Sequence, residues 1–140
     1  MILDAHALFS DDQDLSQTVA TYNSTNVLDF AAAGIDAGAP LRIVIQVTEA
    51  FTSGGAATLQ VQVAGDAASA AFGAEVILAQ TPALALATIA VLGYQIALNV
   101  VPSTALRWMR LNYVIGGATT TAGTVTAGII LDNQDGQIST

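Results

Sequence analysis

The chain has 140 residues, 53% of them apolar and 10% charged, with no cysteine, no lysine, three cationic side chains and a formal net charge of −8. The length suits one domain with a substantial core, and the missing cysteine excludes disulfides, thiolate metal sites and cysteine nucleophiles. The acidity argues against nucleic acid and equally against an anionic membrane surface, because both need clustered Lys and Arg.

The N-terminal segment 1–18 is acidic and has no basic n-region, so it does not read as a signal peptide. It carries apolar Ile2, Leu3, Leu8 and Phe9, which act as an arm docking on a neighbouring subunit or on a shell, unless Ile2 and Leu3 begin an edge strand of the same sandwich. A short strand is predicted over 26–30. Over 41–48, Leu41, Ile43, Ile45 and Val47 alternate with Arg42, Val44, Gln46 and Thr48, the period of a half-buried strand. Residues 51–57 read as a turn around Gly54-Gly55, and 58–64 alternates again with Leu59, Val61 and Val63 inward. The stretch 65–74 is small and irregular. Residues 75–80 form a short strand that Pro82 ends, and 84–91 reads as a strand or as a turn or two of helix. Strands over 94–101 (Ile96 and Leu98 inward), 106–115 and 124–131 (Ile129 and Leu131 inward) follow. A glycine-containing loop joins the last two, and 132–140 is a polar tail.

About eight strands at this spacing predict one all-β domain, a sandwich or barrel, over 1–140. Residues 76–106 hold no charge, but Gly93, Tyr94, Gln95 and Asn99 interrupt the run, no lysine flanks it, and it alternates with period 2. It therefore reads as strands and not as a membrane span.

Nothing in the sequence assembles a reaction centre. His6 is the single histidine, has no cysteine partner and no G-x-S-x-G elbow to serve. The carboxylates gather at 11–14 and 132–136; the second cluster faintly resembles a calcium loop but lacks its spacing and its closing Glu. The glycine pairs lead into no helix and cradle no phosphate. The expectation is a non-enzymatic protein without metal or cofactor. On the strand 106–115, parity puts Arg107, Met109, Leu111, Tyr113 and Ile115 on one face and Trp108, Arg110, Asn112 and Val114 on the other. Trp and Arg are enriched among residues that carry interface energy, so Trp108 and Arg110 are candidate contact residues. Otherwise Trp108 is core and Arg110 pairs with a carboxylate of its own chain. Arg42 joins them as one of the few donors for a partner's carboxylates.

Taken in order, several stretches resemble the capsid cement, or head decoration, proteins of short-tailed double-stranded DNA bacteriophages. They are Met-Ile-Leu-Asp at 1–4 with Leu8-Phe9-Ser10, Ser24-Thr25-Asn26-Val27-Leu28-Asp29, Ala39-Pro40-Leu41, Gln46-Val47, and Phe51-Thr52 with Gly55-Ala56-Ala57-Thr58-Leu59. Ala71-Phe72-Gly73, Gly93-Tyr94, Arg110-Leu111-Asn112-Tyr113, Thr121-Ala122-Gly123 and Leu131-Asp132 complete the set. The resemblance implies a jelly-roll sandwich on the outer surface of the virion capsid. It would staple neighbouring major capsid protein subunits, as a homodimer or higher local oligomer. The alanine-rich 64–74 and 83–90 depart from that pattern. The competing reading is a carbohydrate-binding or adhesin-type sandwich, for which an exposed row of Trp and Tyr would be expected and only Trp108 is at hand.

Overall fold

A computed structural model describes residues 7–30, 41–68, 70–100 and 106–130. Its elements are β1 (Leu8–Asp14), β2 (Ala20–Asn23), β3 (Leu28–Asp29), β4 (Leu41–Ser53), β5 (Thr58–Asp66), β6 (Val76–Gln80), β7 (Leu84–Ala85), a single helical turn α1 (Leu86–Ile89), β8 (Gln95–Val100), β9 (Trp108–Gly116) and β10 (Thr120–Ile130). Two antiparallel sheets form. The first has the order β1-β10-β4-β8; the second has the order β2-β9-β5-β6, with β3 also on β9 and β7 also on β5. The first strand thus pairs with the last, β2 with β9, β4 with β8, and β5 with β6. That is one long antiparallel ribbon wrapped into two facing sheets, the jelly-roll path expected above.

The core follows from alternation. Leu41, Ile43, Ile45 and Val47 on β4 face Leu59, Val61 and Val63 on β5, and Met109, Leu111, Tyr113 and Ile115 on β9 face Val125, Ala127 and Ile129 on β10; all are buried. Each such aliphatic side chain contributes about 1.5–3 kcal/mol by leaving water. Ile96 is buried with them, Leu98 is only partly covered against the cluster, and Leu131 lies outside the described residues.

Four segments differ from the sequence reading. Over its described part, the N-terminal segment is not an arm. Residues 8–14 are β1, paired along β10 with two register shifts, and Phe9 is fully buried in the core. Asp11, Asp12 and Asp14 gave the segment the look of a solvated tail, but an edge strand carries charge easily because its free side faces water. Ile2 and Leu3 lie outside the described residues, as do His6, 101–105 and the tail 131–140. Second, β4 runs on to Ser53, because Phe51 is buried and β10 keeps pairing with Thr52 and Ser53. β4 bulges there, with Ala50 and Phe51 opposite the single Gly123 of β10, whose φ is +141° and whose absent Cβ would meet the Phe51 ring at 2.4 Å, so the close approach needs glycine. Third, 84–91 splits into the two-residue β7 and α1, which plugs the core with Ile89. Fourth, Ala20–Asn23 is a strand without an apolar alternation, held by its ladder to β9.

Candidate interaction face

The outward face of the second sheet gathers the side chains expected at a contact. Trp108, Arg110, Asn112 and Val114 point outward on β9. The register sets Asp29 and Asp66 on either side of Trp108, and Asn23 and Gln62 on either side of Asn112.

Arg107 precedes β9 and is exposed, not part of the inward row that parity assigned it to. Its Nε and Nη2 donate to the two carboxylate oxygens of Asp29 at 2.9 and 3.0 Å, a fork-to-fork pair. The hydrogen bond and charge of Asp29 raise the Arg107 pKa further above its ordinary value. The same guanidinium lies 4.8 Å from the centre of the Trp108 ring.

Arg110 is fixed from two sides. Its Nη2 donates to Glu75 Oε2 at 2.7 Å, and its guanidinium stacks 4.2 Å from the Phe72 ring centre. Asn112 Nδ2 donates to the other oxygen of Glu75 at 3.1 Å. Glu75 and Phe72 come from the loop between β5 and β6. The buried Asp66 carboxylate anchors that loop by accepting the amide N–H groups of Ala68 and Ala74 at 2.7 and 2.9 Å. Phe72 takes a left-handed backbone, φ +54°, unusual for a bulky side chain, and its ring is buried under Arg110. Arg110 Nε and Asn112 Oδ1 are buried without a hydrogen-bond partner, one donor and one acceptor side by side on the same strand face.

The result is a ledge of two aromatic rings and two guanidinium planes in which each of these two arginines is neutralised by a carboxylate of its own chain. Of the two readings of Arg110, the structure shows the pair with a carboxylate of its own chain, and Arg107 is paired likewise. Neither stands as an open donor for a partner's carboxylates; the pairs stiffen the ledge, beside the further carboxylate of Asp66. Of the other candidates, Arg42 sits on the first sheet between Asn99 and Ile130, on a different face. Leu8 is partly covered on β1, and Phe9 is core. Trp108 and Arg110 are therefore brought together, and Arg42, Leu8 and Phe9 are not with them. Phe72 and Glu75 escaped the sequence reading. Their signal is slight: the single aromatic of an alanine-rich run, and the last charge before the uncharged 76–106.

The carboxylates of β1 do not converge. Asp12 meets Thr126, while Asp14 accepts the amide and hydroxyl of Ser16, bonds that lower its pKa. Behind them the Tyr113 hydroxyl shares a 2.8 Å hydrogen bond with Ser10, which donates to Gln13 at 2.6 Å and so ties β1 to β9 through the core. Burial pushes the Tyr113 pKa well above that of a free tyrosine, and the Ser10 bond offsets this only in part.

A family model described as Bbp16 matches residues 9–129, from β1 through β10. The chain belongs to the Bbp16 family. The Bbp16 match spans both sheets and the whole ledge, including the 67–75 loop that supplies Phe72 and Glu75. No curated protein matches the chain.

Proposed function

We propose that this Bbp16-family chain is a structural virion protein. It binds the outer surface of an assembled phage capsid and staples neighbouring major capsid protein subunits without a covalent bond. The observation that carries this reading is the ledge: Trp108 beside the Arg107–Asp29 pair, and Arg110 stacked on the buried Phe72 and paired with Glu75, so that both cations are matched within a chain of net charge −8. Rigid aromatic and guanidinium groups bind proteins at low ordering cost, and a neutralised patch desolvates without exposing a bare charge. The family resemblance carried by the ordered motifs supplies the partner.

The mechanism is linkage. A protein that binds the assembled lattice and not the free subunit stabilises the lattice by RT ln(1 + [L]/Kd) at each site. A copy that bridges two subunits makes its second contact at high effective concentration, so modest single-site affinity suffices. With neither lysine nor cysteine on the chain, the contact is made by apolar burial and hydrogen bonds.

Co-sedimentation with assembled capsids of the cognate phage tests the reading. The protein pellets with shells, leaves free major capsid protein unbound, and raises the temperature at which heads lose DNA. Arg110→Ala, folded by circular dichroism, weakens binding by about 2 kcal/mol. Absence of binding to full heads overturns the proposal. One observation favours a second reading: Asn23, Asn112, Gln62 and Gln80 form a row of amides across four strands, four residues along β9 from Trp108, the polar part of a glycan site. Glycan-array binding lost in Trp108→Phe would replace the capsid reading with that one.

A further inference from the structure

The two arginine pairs of the ledge are not equivalent. Arg107 meets Asp29 with both Nε and Nη2, a complete fork. Arg110 meets Glu75 with Nη2, while its Nε is buried without a partner, as is Oδ1 of Asn112 on the same strand face. Yet Arg110 is the more covered of the two, its side chain 16% exposed against 53% for Arg107. An unpaired polar group costs most where water is excluded, so the better-covered arginine holds the poorer pair.

Glu75 reaches this place on the segment 70–75, which lies over the second sheet and not in it. Phe72 is the one buried residue of the segment; Ala70, Ala71, Gly73, Ala74 and Glu75 are all exposed. The Phe72 ring stands apart from the core cluster, against the Arg110 guanidinium. Its left-handed backbone is a conformation that a bulky residue keeps only while its surroundings enforce it. Three attachments do so: the ring stack, the Asp66 carboxylate on the amide of Ala74, and the Glu75 carboxylate on Arg110 and Asn112.

We infer that the segment 70–75 is a self-inhibiting strap, in which Glu75 is a tethered stand-in for a partner's carboxylate on Arg110 and Asn112. The occupant shows the chemistry of the site. Arg110 Nη2 and Asn112 Nδ2 already donate to a carboxylate, and an incoming one that also takes Arg110 Nε completes the fork that Glu75 leaves half made. Release of the strap relaxes the Phe72 backbone and opens Asn112 Oδ1 to a donor. The tether opposes the exchange, because Glu75 competes at the high effective concentration of its own loop. A lone carboxylate therefore binds only in proportion to the fraction of chains whose strap is open, and the net charge of −8 repels it further. A partner that makes several contacts at once overcomes both, which is the discrimination a lattice-binding protein needs. The inference rests on the capsid reading for the partner alone. Strap and site are tested on the isolated chain, so either can fail without the other.

The three arginines of the full chain give three Nε–Hε signals in a proton–nitrogen NMR spectrum. Acetate is the probe, with chloride at equal ionic strength as the control. In Glu75→Ala the Arg110 signal moves and saturates with acetate at least about tenfold more tightly than in the wild type, where the strap must open first. The Arg42 and Arg107 signals stay in place. Glu75→Gln, which keeps the shape of the side chain and removes its charge, also binds acetate more tightly than the wild type. In the wild type, amide exchange of Ala74 is faster than in the β5–β9 ladder and nearly independent of denaturant, the mark of a local opening. Far-UV circular dichroism and melting confirm that both variants are folded. An Arg110 signal that acetate leaves unmoved in both variants, three arginine signals that move alike, or an Ala74 amide that exchanges only with global unfolding overturns the inference.

Discussion

Tyr113 gives the chain a stability limit on the alkaline side that one substitution removes. The ring is buried at the centre of β9, and burial raises its pKa above the unfolded value near 10. The unfolded chain therefore loses this proton at lower pH than the native one. The contribution is complete below about pH 10, and above it stability falls by about 1.4 kcal/mol for each pH unit until the native pKa is reached. No lysine or cysteine titrates in this window, so tyrosine ionisation dominates the alkaline limb. Tyr113→Phe keeps the ring and deletes the hydroxyl. At neutral pH it loses the 2.8 Å bond to Ser10, while Ser10 still donates to Gln13, so the cost is about 1 kcal/mol. The two stability curves then cross near pH 11, above which the Phe variant is the more stable protein. Urea unfolding at pH 7, 10, 11 and 12 measures both curves. Wild type and variant falling in parallel above pH 10 would refute the assignment of the slope to Tyr113.

Phe9→Ala empties a fully buried site and costs about 3–5 kcal/mol in chemical unfolding, and a chain lacking residues 1–10 unfolds at a much lower denaturant concentration; near-native melting of that deletion would restore the arm. Gly123→Ala forces a φ of +141° on alanine and drives its Cβ into Phe51, a loss of about 1–3 kcal/mol from the backbone alone, read as a fall in melting temperature. Glu75→Ala strips Arg110 and Asn112 of their shared acceptor; it costs about 1–2 kcal/mol, between a surface and a buried pair, and speeds amide exchange across 67–75 more than in the β4–β10 ladder.

The sandwich was legible wherever one face of a strand is apolar and the other polar. Leu41 to Val47, Leu59 to Val63 and Met109 to Ile115 show their inner faces by alternation, and the register buries those residues. An N-terminal edge strand was one of two readings, but its place at 8–14 was not legible, because three of the seven residues of β1 are aspartates. The bulges of β4 between Val47 and Thr52 hid its last part, since pairing that skips residues breaks the period that signals a strand. Parity alone placed Trp108 and Arg110 on one face. What completes the ledge comes from thirty-five residues upstream, where Glu75 ends a loop with no period to read. Contacts of that kind are decided by the closing of the fold, and local sequence carries almost no trace of them.

The few charges on this chain are distributed in a way that separates its surfaces. Asp11, Asp12 and Asp14 stand on the β1 edge, where they discourage a further strand. Asp29 and Glu75 are spent on Arg107 and Arg110, which turns four charges into rigid supports for two aromatic rings. Between residues 76 and 106 there is none, and there an unprotected strand edge lies beside four exposed aliphatic side chains. A jelly roll offers several edges and two outer faces, and nothing in its backbone chooses among them. Here the choice is made by charge. Repulsion closes the β1 edge, and the pairing of Arg107 and Arg110 within the chain stiffens the outer face of the second sheet. The β8 strand carries no charge, so neither repulsion nor an ion pair marks that edge.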